Sequence, residues 1–122
     1  MVLTLGMKAD TDLVVGAGDT ASAMMSGDVA VLATPRLVAL LEAAAVAAVR
    51  DVLADHQTTV GSHIDLRHLA PSPVGSHIVA SAELVAVEGR RLTFRVTAVM
   101  GDELVGDGTH TRVIVDRARF GN

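Results

Sequence analysis

One stretch constrains the fold more than any other. From Leu37 to Val49 the chain is built of Leu, Val and Ala with a single charge, Glu42, and Arg36 and Arg50 flank it. Thirteen such residues are too few to cross a bilayer, so the stretch reads as a buried helix. Leu37, Leu40, Leu41, Val46, Val49, Val52 and Leu53 recur at helical spacing. Thr34 suits an N-cap and Pro35 a first helical turn. The expected helix is Pro35 to Ala54, roughly 30 Å long at 1.5 Å per residue. Its other side (Arg36, Ala43, Ala47, Arg50, Asp51) is only weakly polar, which implies cover on most sides.

After Asp55-His56 the pattern changes to period two. Ile64, Leu66 and His68 alternate with His63, Asp65 and Arg67 until Pro71-Ser72-Pro73 breaks the strand. Ile78, Ala80, Ala82, Leu84 and Ala86 share one face of the next strand. Leu92, Phe94, Val96, Ala98 and Met100 share one face of the strand after the Glu88-Gly89-Arg90 turn. Gly101-Asp102 turns into a last strand, about Glu103 to Asp116. Thr11 to Val15 reads as a further strand, and Val29 to Leu32 as a short strand or turn. Strands joined by tight turns are expected to be neighbours. The reading is α+β: one long central helix on an antiparallel sheet, a single domain over residues 1–122. Helix and sheet carry more apolar surface than one chain can cover, Val79, Val85 and Val87 included. That implies an oligomer, most simply a twofold dimer.

Composition removes several classes of function. A net charge of −4 gives nucleic-acid binding no electrostatic support. The absence of cysteine rules out disulfides, thiolate zinc sites and a cysteine nucleophile. Met1 to Met7 has neither the charged nor the apolar part of a signal peptide, so a cytoplasmic protein with no membrane partner is expected.

Three residues are candidates for chemistry. Glu42 lies on the helix among Val38, Ala45, Val46, Val49 and Leu53, where a carboxylate is costly unless paired or protonated. Such a residue either ties a strand or partner subunit in place or acts as a base or nucleophile. His68 shares its strand face with Ile64 and Leu66, as a core histidine bonded to a carbonyl or as a second catalytic group. Thr34 is accounted for as an N-cap, yet its hydroxyl also sits at the positive end of the helix dipole, placed to orient or attack a substrate. Gly16-Ala17-Gly18-Asp19-Thr20-Ala21 matches a dinucleotide-binding pattern, but an antiparallel chain of this size lacks the fold that pattern needs. His63 and His68 fall on opposite strand faces, against a zinc site. Arg90-Arg91 reads as solvated surface, or as a contact for phosphates.

Four segments resemble the fluoroacetyl-CoA thioesterase family of hotdog-fold proteins: Thr34 to Glu42, Gly61 to His68, Val87 to Leu92 and Gly108 to Arg112. The family spaces a Thr and a Glu eight residues apart, as Thr34 and Glu42 are. It sets a Gly seven before its His, as Gly61 and His68 are. The resemblance implies a hotdog homodimer, its helix wrapped by a joined sheet, that hydrolyses acyl-CoA without metal or cofactor. It implies catalytic roles for Thr34, Glu42 and His68, a thioester-oxygen contact at the Gly61 N–H, and Arg112 near the acyl pocket. One departure stands out. The family covers its pocket with phenylalanines before the helix, and Thr20 to Ala33 has none, so fluoroacetyl-CoA is not the expected substrate.

The expected reaction is hydrolysis of an acyl-CoA or related thioester, with Glu42 attacking or activating water. Gly61 would stabilise the oxyanion, His68 would relay protons, and Thr34 would orient the base or serve as nucleophile. Eight helical residues separate Thr34 from Glu42 by about 12 Å, so the substrate spans them or the site is shared across a dimer interface. The main alternative is a hotdog acyl-CoA sensor without turnover. A hotdog hydratase lacks its Asp–His signature here, and a non-catalytic assembly module would leave Glu42 and His68 idle.

Overall fold

The computed structural model describes residues 2–120. Strand β1 (Lys8–Val14) leads through a 3-10 turn (Ala17–Asp19) and an irregular segment to helix α1 (Thr34–Val49). A second 3-10 turn (Arg50–Val52) precedes β2 (Gln57–His68), β3 (His77–Glu88), β4 (Arg91–Met100) and β5 (Glu103–Asp116), and Arg117–Phe120 forms a last 3-10 turn. The five strands make one antiparallel sheet in the order β1-β3-β4-β5-β2. This is the expected α+β hotdog architecture, a single helix laid on one face of the sheet.

The period-two pattern translates directly into the core. Ile78, Ala80, Ala82 and Leu84 of β3, and Leu92, Phe94, Val96 and Ala98 of β4, are fully buried beneath the helix. Leu37, Leu41, Ala44 and Ala45 of α1 are equally buried, and the alanines on both layers let helix and sheet approach closely. The Thr11 hydroxyl donates to the Leu40 carbonyl (2.9 Å), fastening β1 to the middle of the helix.

Several expectations need correcting. The helix stops at Val49, not Ala54. Val49 already has φ −119° and ψ 0°, and the chain tightens into a 3-10 turn so that it can reverse into β2 at Gln57. Val52 and Leu53 therefore leave the helical stripe. β1 begins at Lys8, three residues before the expected start, because it pairs with β3 from Glu83 onward. Of the two readings of Val29 to Leu32, strand or turn, the strand does not form: the segment bends and makes isolated bridges, Val31 to Pro73 and Leu32 to Thr20. β2 and β3 are consecutive but not neighbours. The Pro71-Ser72-Pro73 segment carries the chain across the molecule, and β2 pairs with β5 at the far edge.

That placement decides where a site can lie. The helix packs mainly on β1 and β3 and touches β2 little. An open groove remains between α1 and β2, and β2 itself is a free sheet edge twelve residues long.

Candidate active site

The expected site residues fall into two groups along this groove. The first is Thr34 with His68. Ala33, not Thr34, is the N-cap of α1, and no side chain caps that end. The Thr34 hydroxyl lies instead 2.7 Å from His68 Nδ1. The pairing arises because Thr34 opens the helix and His68 closes β2, and both ends meet at the same side of the sheet. Burial lowers the pKa of His68 below the ordinary histidine value, so the ring is neutral at neutral pH. Its Nε2 is buried and has no hydrogen-bond partner among the described residues. A neutral imidazole with a hydroxyl on Nδ1 can accept that proton as a general base. An open cavity of about 260 Å³ adjoins the pair, walled by Ala21, Ser26, Leu32 and Ala70 among others.

The second group surrounds Glu42. Its Oε2 accepts a hydrogen bond from Arg112 Nη1 (3.2 Å) and lies 3.8 Å from His110 Nε2. Arg112 is almost wholly buried and each nitrogen of its fork makes at least one hydrogen bond. Nε donates to Thr59 Oγ1 (2.8 Å), Nη2 to the Thr59 carbonyl (2.9 Å), and Nη1 also reaches His110 Nε2 (3.1 Å). Burial draws the guanidinium's pKa down while Glu42 opposes the shift. A guanidinium nonetheless remains charged.

Gly61 is required at its place on β2. A Cβ there would stand 2.6 Å from Glu42 Oε2 and 3.2 Å from Arg112 Nη1. The β2–β5 register shifts between Gly61 and His63, a bulge of the kind that re-aims backbone beside a functional site. Glu42, Gly61, His63 and His110 line an open groove of about 250 Å³ together with Val38 and Ile64.

The surroundings of Glu42 differ from a sequestered carboxylate beside His68, which its place in an apolar run and the resemblance together suggest. Its side chain is 39% exposed, so it is a groove residue and not a sequestered one. The reason is that Val38, Glu42 and Val46 form the helix stripe facing away from β1 and β3. The imidazole beside it is His110, not His68. Within one chain the structure joins Thr34 to His68 and joins Glu42 to Gly61 and Arg112, and about 12 Å of helix separates the groups.

His110 and Thr59 escaped the sequence reading. His110 was legible in principle, because His110 and Arg112 are two apart on β5 and must share a face. Thr59 carries no such signal. The glycine-rich motif has a structural use. The Asp19 carboxylate accepts from Gly16 N (2.8 Å) and from Arg36 Nε (3.0 Å), pinning the loop to the start of α1. The Gly16 bond is the chief cause that holds the Asp19 pKa below its usual value. Arg90 is partly occupied, donating to the Ile114 carbonyl (3.3 Å).

The fluoroacetyl-CoA-specific thioesterase family model matches residues 15–118. A fluoroacetyl-CoA thioesterase of Streptantibioticus cattleyicolor is 39% identical over 90 residues, covering 74% of this chain and 65% of that protein's length. Among solved structures, a fluoroacetyl-CoA thioesterase is similar with a TM-score of 0.90 and 33% identity over 98% of this chain and 93% of that one. A point mutant of such an enzyme, in complex with fluoroacetate and CoA, gives a TM-score of 0.91 at 32% identity, with 98% of this chain and 100% of that one covered. A Thermus thermophilus hypothetical protein of the thioesterase superfamily follows at 0.88 and 28%, with 96% and 87% covered.

Proposed function

Because the chain belongs to the fluoroacetyl-CoA-specific thioesterase family, we propose that it hydrolyses an acyl-CoA to free acid and CoA, at a site two copies of the chain build together. The observation that carries this is the 2.7 Å contact between the Thr34 hydroxyl and His68 Nδ1, made by a threonine that does no capping. A neutral, half-buried histidine holding a hydroxyl in an open groove is a proton-transfer unit without a structural duty that would explain it.

In the proposed reaction an oxygen nucleophile attacks the thioester carbonyl. It is the Thr34 hydroxyl, whose proton passes to His68, or a water polarised by Glu42. The Gly61 N–H stabilises the oxyanion, and the proton held on the base goes to the departing thiolate. If Thr34 is the nucleophile, its oxygen carries the acyl group as an ester once the thiolate has left, and water releases the acid in a second step. Arg112 keeps Glu42 aimed into the groove. The reaction draws on no metal or cofactor, since CoA leaves as a product.

The two-copy site is supported by the spacing along α1 and by the free edge of β2. A strand of this length whose outer edge has no partner strand among the described residues, bearing exposed Val60, is an open template for pairing with its own copy about a twofold axis. Such pairing would bring Glu42 of one copy toward Thr34 and His68 of the other. We propose a homodimer of this form in the cytoplasm, acting on a soluble thioester. Among the described residues no helix is long and apolar enough to cross a membrane.

The acyl group we propose is not fluoroacetyl. The segment before the helix offers Met24 and the 91%-exposed Met25 in place of any aromatic cover. Thiol release from a panel of acyl-CoA esters, with Glu42→Gln as control, tests the proposal. Tight binding of CoA esters by the wild type without thiol release would favour the sensor alternative.

A further inference from the structure

We infer that His110 is a positioning residue for this reaction, an uncharged imidazole whose Nε2 lone pair holds the Arg112 guanidinium against Glu42. The inference rests on the reading that places Glu42 at the chemistry.

Both ring nitrogens have partners that admit one answer. Nδ1 lies 2.7 Å from the His63 carbonyl, and a carbonyl only accepts, so Nδ1 carries a proton. Nε2 lies 3.1 Å from Arg112 Nη1, and a guanidinium only donates, so Nε2 is bare. One neutral tautomer satisfies both ends. An imidazolium would point an N–H at an N–H.

The surroundings favour the same state. His110 is 1% exposed and stands over the Phe94 ring of β4, centroids 6.5 Å apart. The charged or titratable groups facing it are Glu42 from α1, His63 from β2 and Arg112 on its own strand. Burial is the largest influence and lowers its pKa. Arg112 acts in the same direction, while the His63 carbonyl and Glu42 oppose them.

The consequence is mechanical. Thr59 holds two corners of the guanidinium through Nε and Nη2. The third corner, Nη1, is the one that meets Glu42, and His110 is its other partner. Without that acceptor the guanidinium plane can tilt about the line through Nε and Nη2, and Glu42, being part-exposed, follows Nη1 out of the groove. His110 touches no substrate in this scheme; it acts through Arg112.

The test compares wild type with H110Q, which returns an amide oxygen near the position of Nε2, and H110L, which fills the space without an acceptor. On the acyl-CoA the wild type hydrolyses best, H110Q keeps kcat within about threefold, and H110L lowers kcat about tenfold or more with KM little changed. Equal losses in the two variants, or an unimpaired H110L, would overturn the inference. E42Q runs in parallel: if wild type turns over and E42Q does too, the placement of Glu42 fails, and the inference with it. Should either His110 variant not fold, long-range 1H–15N correlation on the wild-type protein at neutral pH decides. A protonated Nδ1 with a bare Nε2 supports the inference, and a protonated Nε2 overturns it.

Discussion

The Thr34 hydroxyl and His68 Nδ1 lie 2.7 Å apart, although one residue begins the helix and the other ends a strand 34 positions later. A threonine at a helix start normally spends its hydroxyl on a backbone N–H, and losing such a cap costs about 1 kcal/mol. Here no cap bond exists. Thr34→Ala should therefore leave the unfolding free energy within about 0.5 kcal/mol of wild type. It should lower kcat by about two orders of magnitude if the hydroxyl transfers a proton during the reaction. Thr34→Ser should retain most of the rate. Urea unfolding and steady-state kinetics on the three proteins check this. A Thr34→Ala protein that loses stability and keeps its rate would return the residue to a capping role.

Gly61 faces Glu42 so closely that a methyl group has no room. In Gly61→Ala the new Cβ would press on Glu42 Oε2, the far end of a flexible and part-exposed side chain, which can swing aside. Gly61 has no left-handed φ to defend. The buried Arg112 Nη1 and His110 Cε1, each 3.2 Å from that Cβ, must also give by a few tenths of an ångström, so a stability loss of about 1 to 3 kcal/mol is expected. Displacement of the carboxylate by about 1 Å should cost activity tenfold to a hundredfold. Calorimetry and kcat/KM measured together separate this outcome from simple misfolding.

Arg112 stands at the opposite extreme, because its partners are buried. In Arg112→Lys a single ammonium replaces a planar fork, and the Thr59 hydroxyl, the Thr59 carbonyl, His110 Nε2 and Glu42 cannot all be served. A loss of about 2 to 4 kcal/mol in unfolding free energy is expected, read from the urea midpoint at constant m. A change under about 0.5 kcal/mol would show that the network contributes nothing to the fold.

Acid should unfold the protein partly through its histidines. His68 and His110 both have pKa values lowered by burial. As pH falls below about 6.5 the unfolded chain takes up protons that the folded rings refuse, so the unfolded state binds more and stability falls. Above that pH both states are neutral at these rings and their contribution is complete. Unfolding free energy should drop between pH 7 and pH 5, each ring adding a slope of at most about 1.4 kcal/mol per unit until its folded pKa is passed. The slope should shrink in His68→Gln. Unchanged pH dependence in that variant would show that His68 protonates equally in both states.

Some of this was legible in the sequence and some was not, for physical reasons. The core strands were readable because Ile78 to Leu84 and Leu92 to Ala98 each bury one face completely. The helix start was marked by Pro35. Its end was not, since the apolar spacing runs on through Val52 and Leu53 after the backbone has left the helix. The order of strands was hidden because Pro71 to Gly75 can turn a hairpin or cross the sheet with equal chemistry. Glu42 was found by its charge in an apolar run, but its exposure depends on which side of α1 the sheet occupies. His110 went unnoticed because its partners, the His63 carbonyl and Arg112, come together only through β2–β5 pairing.

Whether two copies share a site is decided by mixing variants. Thr34 and His68 lie in one group and Glu42 in another, two helical turns away. If catalysis joins the first group of one copy to the second group of its partner, Thr34→Ala and Glu42→Gln dimers are each inactive. After subunit exchange, half the dimers are mixed, and each mixed dimer has one site with both defects and one with neither. Activity should then return to about a quarter of wild type at equal subunit concentration. A site within one copy predicts no recovery, because every subunit carries a defect. The same logic makes Val60→Lys on the free edge of β2 informative. It should shift the protein toward monomer in sedimentation and lower activity in parallel, with both restored as concentration rises.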